Sequence, residues 1–168
     1  MTPPDDPPVY LSAVKTPTPS DCRPLDPPTP TESGHDIQSY PNYPASLTAT
    51  SARRFANAYE AAYQFNSTAA EKPTYEDIDV SGGSPNWALF ETQRGFVIGV
   101  NGAVTVADTE TPTPPATARP TGTFPFAAWY FLTPQFALRR TYEEGVLERG
   151  DEPVLTGAKT VHCEPADE

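Results

Sequence analysis

Catalysis and metal binding need particular side chains at particular spacings, and few are on offer. Two histidines, His35 and His162, and two cysteines, Cys22 and Cys163, are the nitrogen and sulfur ligands of the 168 residues. Zinc takes three or four such ligands at close spacing, and the chain has no CxxC or HxxxH cluster. His162 beside Cys163 suggests a base and a nucleophile, yet neighbours along a strand point to opposite faces. Carboxylates cluster at Glu76, Asp77 and Asp79 and again at Glu143 and Glu144. Acid–base work would need burial to drive their pKa values apart, and runs of this kind are usually solvated faces or strand ends. Gly82-Gly83-Ser84-Pro85 has neither the lysine nor the following helix of a phosphate loop. No catalytic residue, metal ligand or cofactor is assigned from these residues.

The aromatic residues are the denser signal. Tyr59, Tyr63, Trp87, Trp129 and Tyr130 belong to a set that is large for so small a domain. Large rings filling a helix-on-sheet core are one reading. The other is a cone-shaped cavity lined by these five and suited to an apolar ligand. Asn66-Ser67-Thr68 is an N-glycosylation sequon, although Asn66 also continues a helical apolar stripe.

These residues must be positioned by a helix and a sheet. Ala52, Phe55, Tyr59, Ala62, Tyr63 and Asn66 recur at three- and four-residue steps, so a helix is predicted from about Ala49 to Ala70. Thr48 is its N-cap, Leu47 is placed to staple against Ala52, and Pro73 stops it. Alternation then takes over. Strands are predicted at Tyr75 to Val80 and Trp87 to Gln93, with a tight turn at Arg94-Gly95. Asn101-Gly102 is a hairpin signal, but Phe96, Ile98, Val100, Val104 and Val106 keep one even-numbered phase through it. A two-residue hairpin would break that phase. One long strand is therefore expected, bulged or bent at Gly102. Residues 109 to 125 read as a loop, Phe126 to Thr133 and Phe136 to Tyr142 as strands, and the tail from Val146 as irregular. One helix before about four to five strands, without βαβ alternation, predicts an α+β domain. Its helix would pack on a curled antiparallel sheet, in the manner of cystatin-like or NTF2-like folds.

Composition sets the boundaries. More than half of the 22 prolines stand before Ala45. With Thr, Ser and Asp between them, residues 1–44 are expected to form a disordered, extended leader or stalk. That leaves one domain over 45–163 and an acidic tail over 164–168. The net charge is −11, with Lys15, Lys72 and Lys159 the only lysines among 11 basic residues. Nucleic acid is excluded as a partner because no basic face could neutralise phosphates. The acid excess keeps the surface soluble and suits high salt, where self-repulsion is screened. No run reaches the ~18 apolar residues of a membrane span. Met1-Thr-Pro-Pro-Asp-Asp shows no signal peptide, so a mature export product and a cytosolic protein both remain open.

Two patches resemble a known group. Leu47-Thr48 leading into Ser51-Ala52, Tyr59-Glu60-Ala61-Ala62-Tyr63 and Asn66 resembles the helix of uncharacterised haloarchaeal surface lipoproteins and secreted proteins. Tyr130-Phe131-Leu132 followed by Arg139, and a C-terminal cysteine, here Cys163, resemble the sheet segment of the same group. The likeness spans roughly Pro44 to Cys163 and implies an exported or cell-surface α+β domain on a flexible stalk, with no activity attached. Cys22 follows Pro-Ser-Asp and not a lipobox, so it is not the lipidated cysteine. In such an export product Cys22 and Cys163 would form a disulfide worth ~4 kcal/mol by the chain-entropy account. Free thiols in a cytosolic protein are the alternative. The matched Arg139 would hydrogen-bond to Glu60 or to a helix carbonyl if the helix crosses the sheet, and otherwise both face water. Three functional readings follow. The first is a non-enzymatic surface domain that binds an unknown protein or small molecule. The second is an NTF2-like ligand carrier or enzyme, and the third a structural envelope component. The oligomeric state is not specified by the residues.

Overall fold

The computed structural model describes residues 24, 26–29, 36–71, 75–108 and 121–164. Cys22, His35, most of the predicted leader, residues 109–120 and the tail beyond Glu164 lie outside the described residues.

Helix α1 spans Ala49–Glu71. Its start is built locally: the Ser51 backbone amide donates to Thr48 Oγ1 at 3.1 Å, and the Thr48 amide donates to Ser51 Oγ at 2.8 Å. This reciprocal pair is a capping box with serine in the third position. Ala52, Phe55, Ala56, Tyr59, Glu60, Ala62, Asn66 and Ala69 form its buried side.

Six strands follow: β1 Tyr75–Gly83, β2 Leu89–Glu91, β3 Phe96–Asp108, β4 Thr121–Leu132, β5 Phe136–Thr141 and β6 Lys159–Cys163. A single 3-10 turn, Asn86–Ala88, joins β1 to β2. All pairings are antiparallel, in the order β1-β3-β4-β5-β6, with β2 beside the start of β3 on the same edge as β1. The result is one helix on an open, curled antiparallel sheet, an α+β architecture.

The sheet has six strands, one more than the four to five expected. The addition is β6, whose short segment pairs with Phe136–Arg139 although its own alternation is weak. β4 also starts earlier than Phe126. Thr121–Pro125 pairs with Ala103–Ala107, while β5 reaches only Ala128–Leu132, so Pro125 occupies an edge where its missing amide costs no ladder bond. Trp87–Gln93 shrinks to the three residues of β2.

β3 is one strand, as its even phase requires, and it carries no bulge at Gly102. Its register with β4 runs unbroken from Phe96↔Leu132 to Ala107↔Thr121. Gly102 is needed for space: a β-carbon there would collide with the Phe126 ring, which lies across it from the paired strand. The Asn-Gly pair thus reflects an aromatic ring lying over a glycine and not a turn.

Both faces of the sheet are covered. On the front, Phe55, Tyr59, Ile98, Val100, Tyr130 and Leu132 share a core with α1. On the back, Val97, Trp129, Phe131, Phe136 and Leu138 pack against Leu147 and Leu155. β4 supplies alternate residues to each, so Ala127–Leu132 is almost wholly buried.

The predicted leader extends too far. Tyr40 and Tyr43 pack on the front core, and the Tyr43 hydroxyl donates to the Thr133 carbonyl at 2.6 Å. Two tyrosines give this proline-rich stretch enough apolar area to dock. Residues 38–43 therefore belong to the folded unit.

Candidate functional site: a cleft beside a buried ion pair

Arg139 on β5 reaches across the front face to Glu60 on α1. Its Nε donates to Glu60 Oε2 at 2.7 Å and its Nη2 to Oε1 at 2.8 Å, a two-point salt bridge with both residues buried. The Tyr130 hydroxyl donates to Oε2, and Gln64 Nε2 donates to Oε1 at 2.7 Å. Four donors fill the four acceptor positions of the carboxylate, leaving Glu60 none with which to take a proton from a substrate. The guanidinium also stacks 3.8 Å over the Tyr63 ring, and its Nη1 donates to Thr141 Oγ1 at 3.0 Å.

Electrostatics follow from burial. Burial opposes the charge on Arg139, but the bonds to Glu60 and its charge outweigh it and hold the guanidinium pKa above the usual arginine value. Burial, then the Glu60 charge, pushes the Tyr130 hydroxyl well above the usual tyrosine range, so it remains a donor.

Three members of this network, Tyr63, Gln64 and Thr141, also line a cleft of about 430 Å³. Ser67, Thr68 and Glu71 extend its helix wall, and Val104, Phe124 and Pro125 form its sheet wall. The cleft therefore lies between the C-terminal half of α1 and the sheet. Phe124 stands 53% exposed in it. Among the described residues the lining holds hydroxyls, an amide, one carboxylate and apolar surface, with no lysine or arginine.

The five aromatics considered as one pocket do not surround one cavity. Tyr59 and Tyr130 are in the front core, with Tyr63 packed beside it, whereas Trp87 and Trp129 belong to the back cluster. Adjacent residues on a strand, here Trp129 and Tyr130, point to opposite faces, so one pocket could not contain both. Only Tyr63 of the five lines the cleft. The sequon reading of Asn66 is also corrected. Asn66 is fully buried, its Nδ2 donates to the Gln38 carbonyl at 2.9 Å, and its Oδ1 accepts from the Gln38 amide at 2.9 Å. A glycan on Nδ2 would eject residues 38–43 from their seat.

Elsewhere, His162 stacks on Tyr43 with ring centroids 3.9 Å apart. Cys163 ends β6, and no cysteine among the described residues is a free thiol. No group of three or more His, Cys, Asp or Glu side chains able to hold a metal occurs among the described residues. Asp77, Asp79, Glu143 and Glu144 are exposed. No helix among the described residues is long and apolar enough to cross a membrane.

Sequence reasoning missed Phe124, Gln64 and Thr141. Phe124 was findable: it shares the even phase of Phe126, Ala128 and Tyr130, extended back past Pro125. Gln64 and Thr141 carry no pattern of their own and are selected only by the ion pair they serve.

No protein-family model, curated protein or solved structure matches the chain.

Proposed function

We propose that the chain is an exported or cell-surface, non-enzymatic binding domain that receives a small ligand in the cleft between α1 and the sheet. The observation that carries this reading is the separation of the buried ion pair from the cleft. The strongest acid–base candidates, Glu60 and Arg139, are saturated by each other and by Tyr130, Gln64 and Thr141, while the space beside them offers contact surface, hydroxyls, an amide and the single Glu71 carboxylate among its described lining. One helix across a curled antiparallel sheet, with the cleft at its open end, suits the cystatin-like or NTF2-like fold type.

Export rests on the likeness to haloarchaeal surface proteins and on the absence of a free thiol at Cys163. Cys22 is the only other cysteine of the chain and is the proposed partner. Non-reducing peptide mapping of the protein taken from its source cells tests this. A linked Cys22–Cys163 peptide is the expected result. Two free thiols in that material would remove the export reading and return the domain to the cell interior.

A further inference from the structure

The cleft carries more information than its volume. Gly122 precedes Phe124 by two residues on β4, so both project from the same face of the sheet. A β-carbon placed on Gly122 would lie 3.2 Å from both Cε2 and Cζ of the Phe124 ring. The ring is therefore laid back along the strand over the glycine, in the space any other side chain would fill. A phenylalanine that lies down yet remains 53% exposed presents a platform. Val104, its cross-strand partner, is buried beside it, and Pro125 continues the floor.

The facing wall is different in kind. Ser67, Thr68 and Gln64 project from α1, with Glu71 at the helix end and Thr141 on the sheet side. Ser67 Oγ is buried with no hydrogen-bond partner, a group with unused donor and acceptor capacity. An aromatic platform opposite hydroxyls, an amide and a carboxylate fits a ring that is apolar on its faces and hydroxylated around its rim.

Charge narrows the choice. Among the described residues that line the cleft, an anionic ligand would meet the Glu71 carboxylate and no free cation, because the nearby Arg139 is neutralised by Glu60 and its side chain is 7% exposed. A purely apolar ligand would strip water from Thr68 and Glu71 and leave the Ser67 hydroxyl unpartnered, without supplying any hydrogen bond in return. The cleft lies within the ~300–1,000 Å³ range of small-molecule sites.

Building on the reading of this cleft as the binding site, we infer that it binds a neutral carbohydrate, with one sugar ring stacked on Phe124 and its hydroxyls bonded to Ser67, Thr68, Gln64 and Glu71.

The test is NMR titration of the full chain with three probes at millimolar concentration. These are a panel of neutral hexasaccharides of glucose, galactose, mannose and N-acetylglucosamine; an oligomer of uronic acid; and 1-octanol. Amide shifts at Ser67, Thr68 and Phe124 with at least one neutral sugar, and none with the uronate, are expected. Phe124→Ala should weaken that binding about tenfold, the value of one aromatic contact. Gly122→Val keeps Phe124 but lifts its ring, and should weaken binding similarly while preserving the strand. Equal sugar affinity in both variants would overturn the platform. Cleft shifts with octanol alone overturn the carbohydrate assignment, shifts with the uronate alone overturn the neutrality of the sugar, and either result leaves the binding-domain reading standing. No cleft shift with any probe overturns both.

Discussion

The two faces of the sheet are covered by opposite means. The front is covered by a regular helix and a docked extended arm, the back by segment 142–158, which contains no helix or strand. Each cover is fastened by an asparagine whose amide grips one residue's backbone at two points. Asn66 holds Gln38 on the front. Asn101 holds Leu147 on the back, its Nδ2 donating to the carbonyl at 2.9 Å and its Oδ1 accepting from the amide at 2.7 Å. The contents beneath differ. The front core encloses a saturated ion pair, whereas the back core is apolar apart from Trp129 Nε1, which is buried without a partner. A helix buries whatever its period brings to the core side, so Glu60, one turn beyond Ala56, goes under with its neighbours and must be matched from β5. An irregular segment is free to bury Leu147 and Leu155 and leave Glu148, Arg149 and Glu152 in water.

The sharpest way to break this contrast is to remove the charge match. Arg139→Met strands the Glu60 carboxylate in a dry core and should cost ~3–5 kcal/mol. Thermal unfolding would show it as a large drop in Tm, since each kcal/mol is worth ~2–8 °C over this size range. Adding Glu60→Leu should recover part of the loss, because it removes the stranded charge but leaves the buried Tyr130 hydroxyl without its acceptor. On the back, Leu155→Ala should cost ~2–4 kcal/mol through lost burial and a cavity, and no second substitution of a charge can restore it. A wild-type Tm in Arg139→Met would show that the pair is not what the front core depends on.

The two asparagines allow a finer comparison. Asn66→Ala and Asn101→Ala each delete two hydrogen bonds and leave a backbone N–H and C=O without them, for ~1–3 kcal/mol. Asn66 is fully buried and Asn101 half-buried, so water can replace less at the front and the first variant should lose more. Hydrogen exchange separates the covers: the Gln38 amide should lose protection only in Asn66→Ala, and the Leu147 amide only in Asn101→Ala. Loss of both in either variant would mean that the covers open together.

The same asymmetry governs what could be read from sequence. The helix was legible to within one residue because period and cap agree at Thr48. The long β3 was legible because its phase survives Asn101-Gly102, and the reason for that glycine, the Phe126 ring, lies on another strand. The pairing of Glu60 with Arg139 was expected on the condition that the helix lies across the sheet, and the structure meets that condition. The back cover was illegible: Leu147 and Leu155 have no period, so nothing distinguishes a buried loop leucine from an exposed one. The docking of residues 38–43 was hidden by their prolines, which argue correctly against helix and strand but say nothing about whether two tyrosines find a core. Of the cleft, only Tyr63 stood among the candidates, because its other walls are defined by where the helix stops covering the sheet.

The smallest expected effect tests the seam where the arm meets β6. His162 stacks on Tyr43 at an interplanar angle of 9°. Burial lowers its pKa below the ordinary 6.5, while Glu164, 4.0 Å from its Nε2, pulls it back upward. The folded protein therefore prefers the neutral imidazole, and the unfolded chain binds the additional proton first as pH falls. Stability should decline as pH drops through 6.5 and level off below the folded pKa. The decline should be slight, because the side chain is 29% exposed and solvent screens the charge. His162→Phe keeps a flat ring against Tyr43 and has nothing to protonate, so its Tm should change less than the wild type's between pH 7.5 and 5. Leu155→Ala, on the opposite face, should keep the full wild-type slope. An unchanged slope in His162→Phe would move the acid sensitivity away from the arm, and the seam would then be held by the Tyr43 hydroxyl and its carbonyl partners alone.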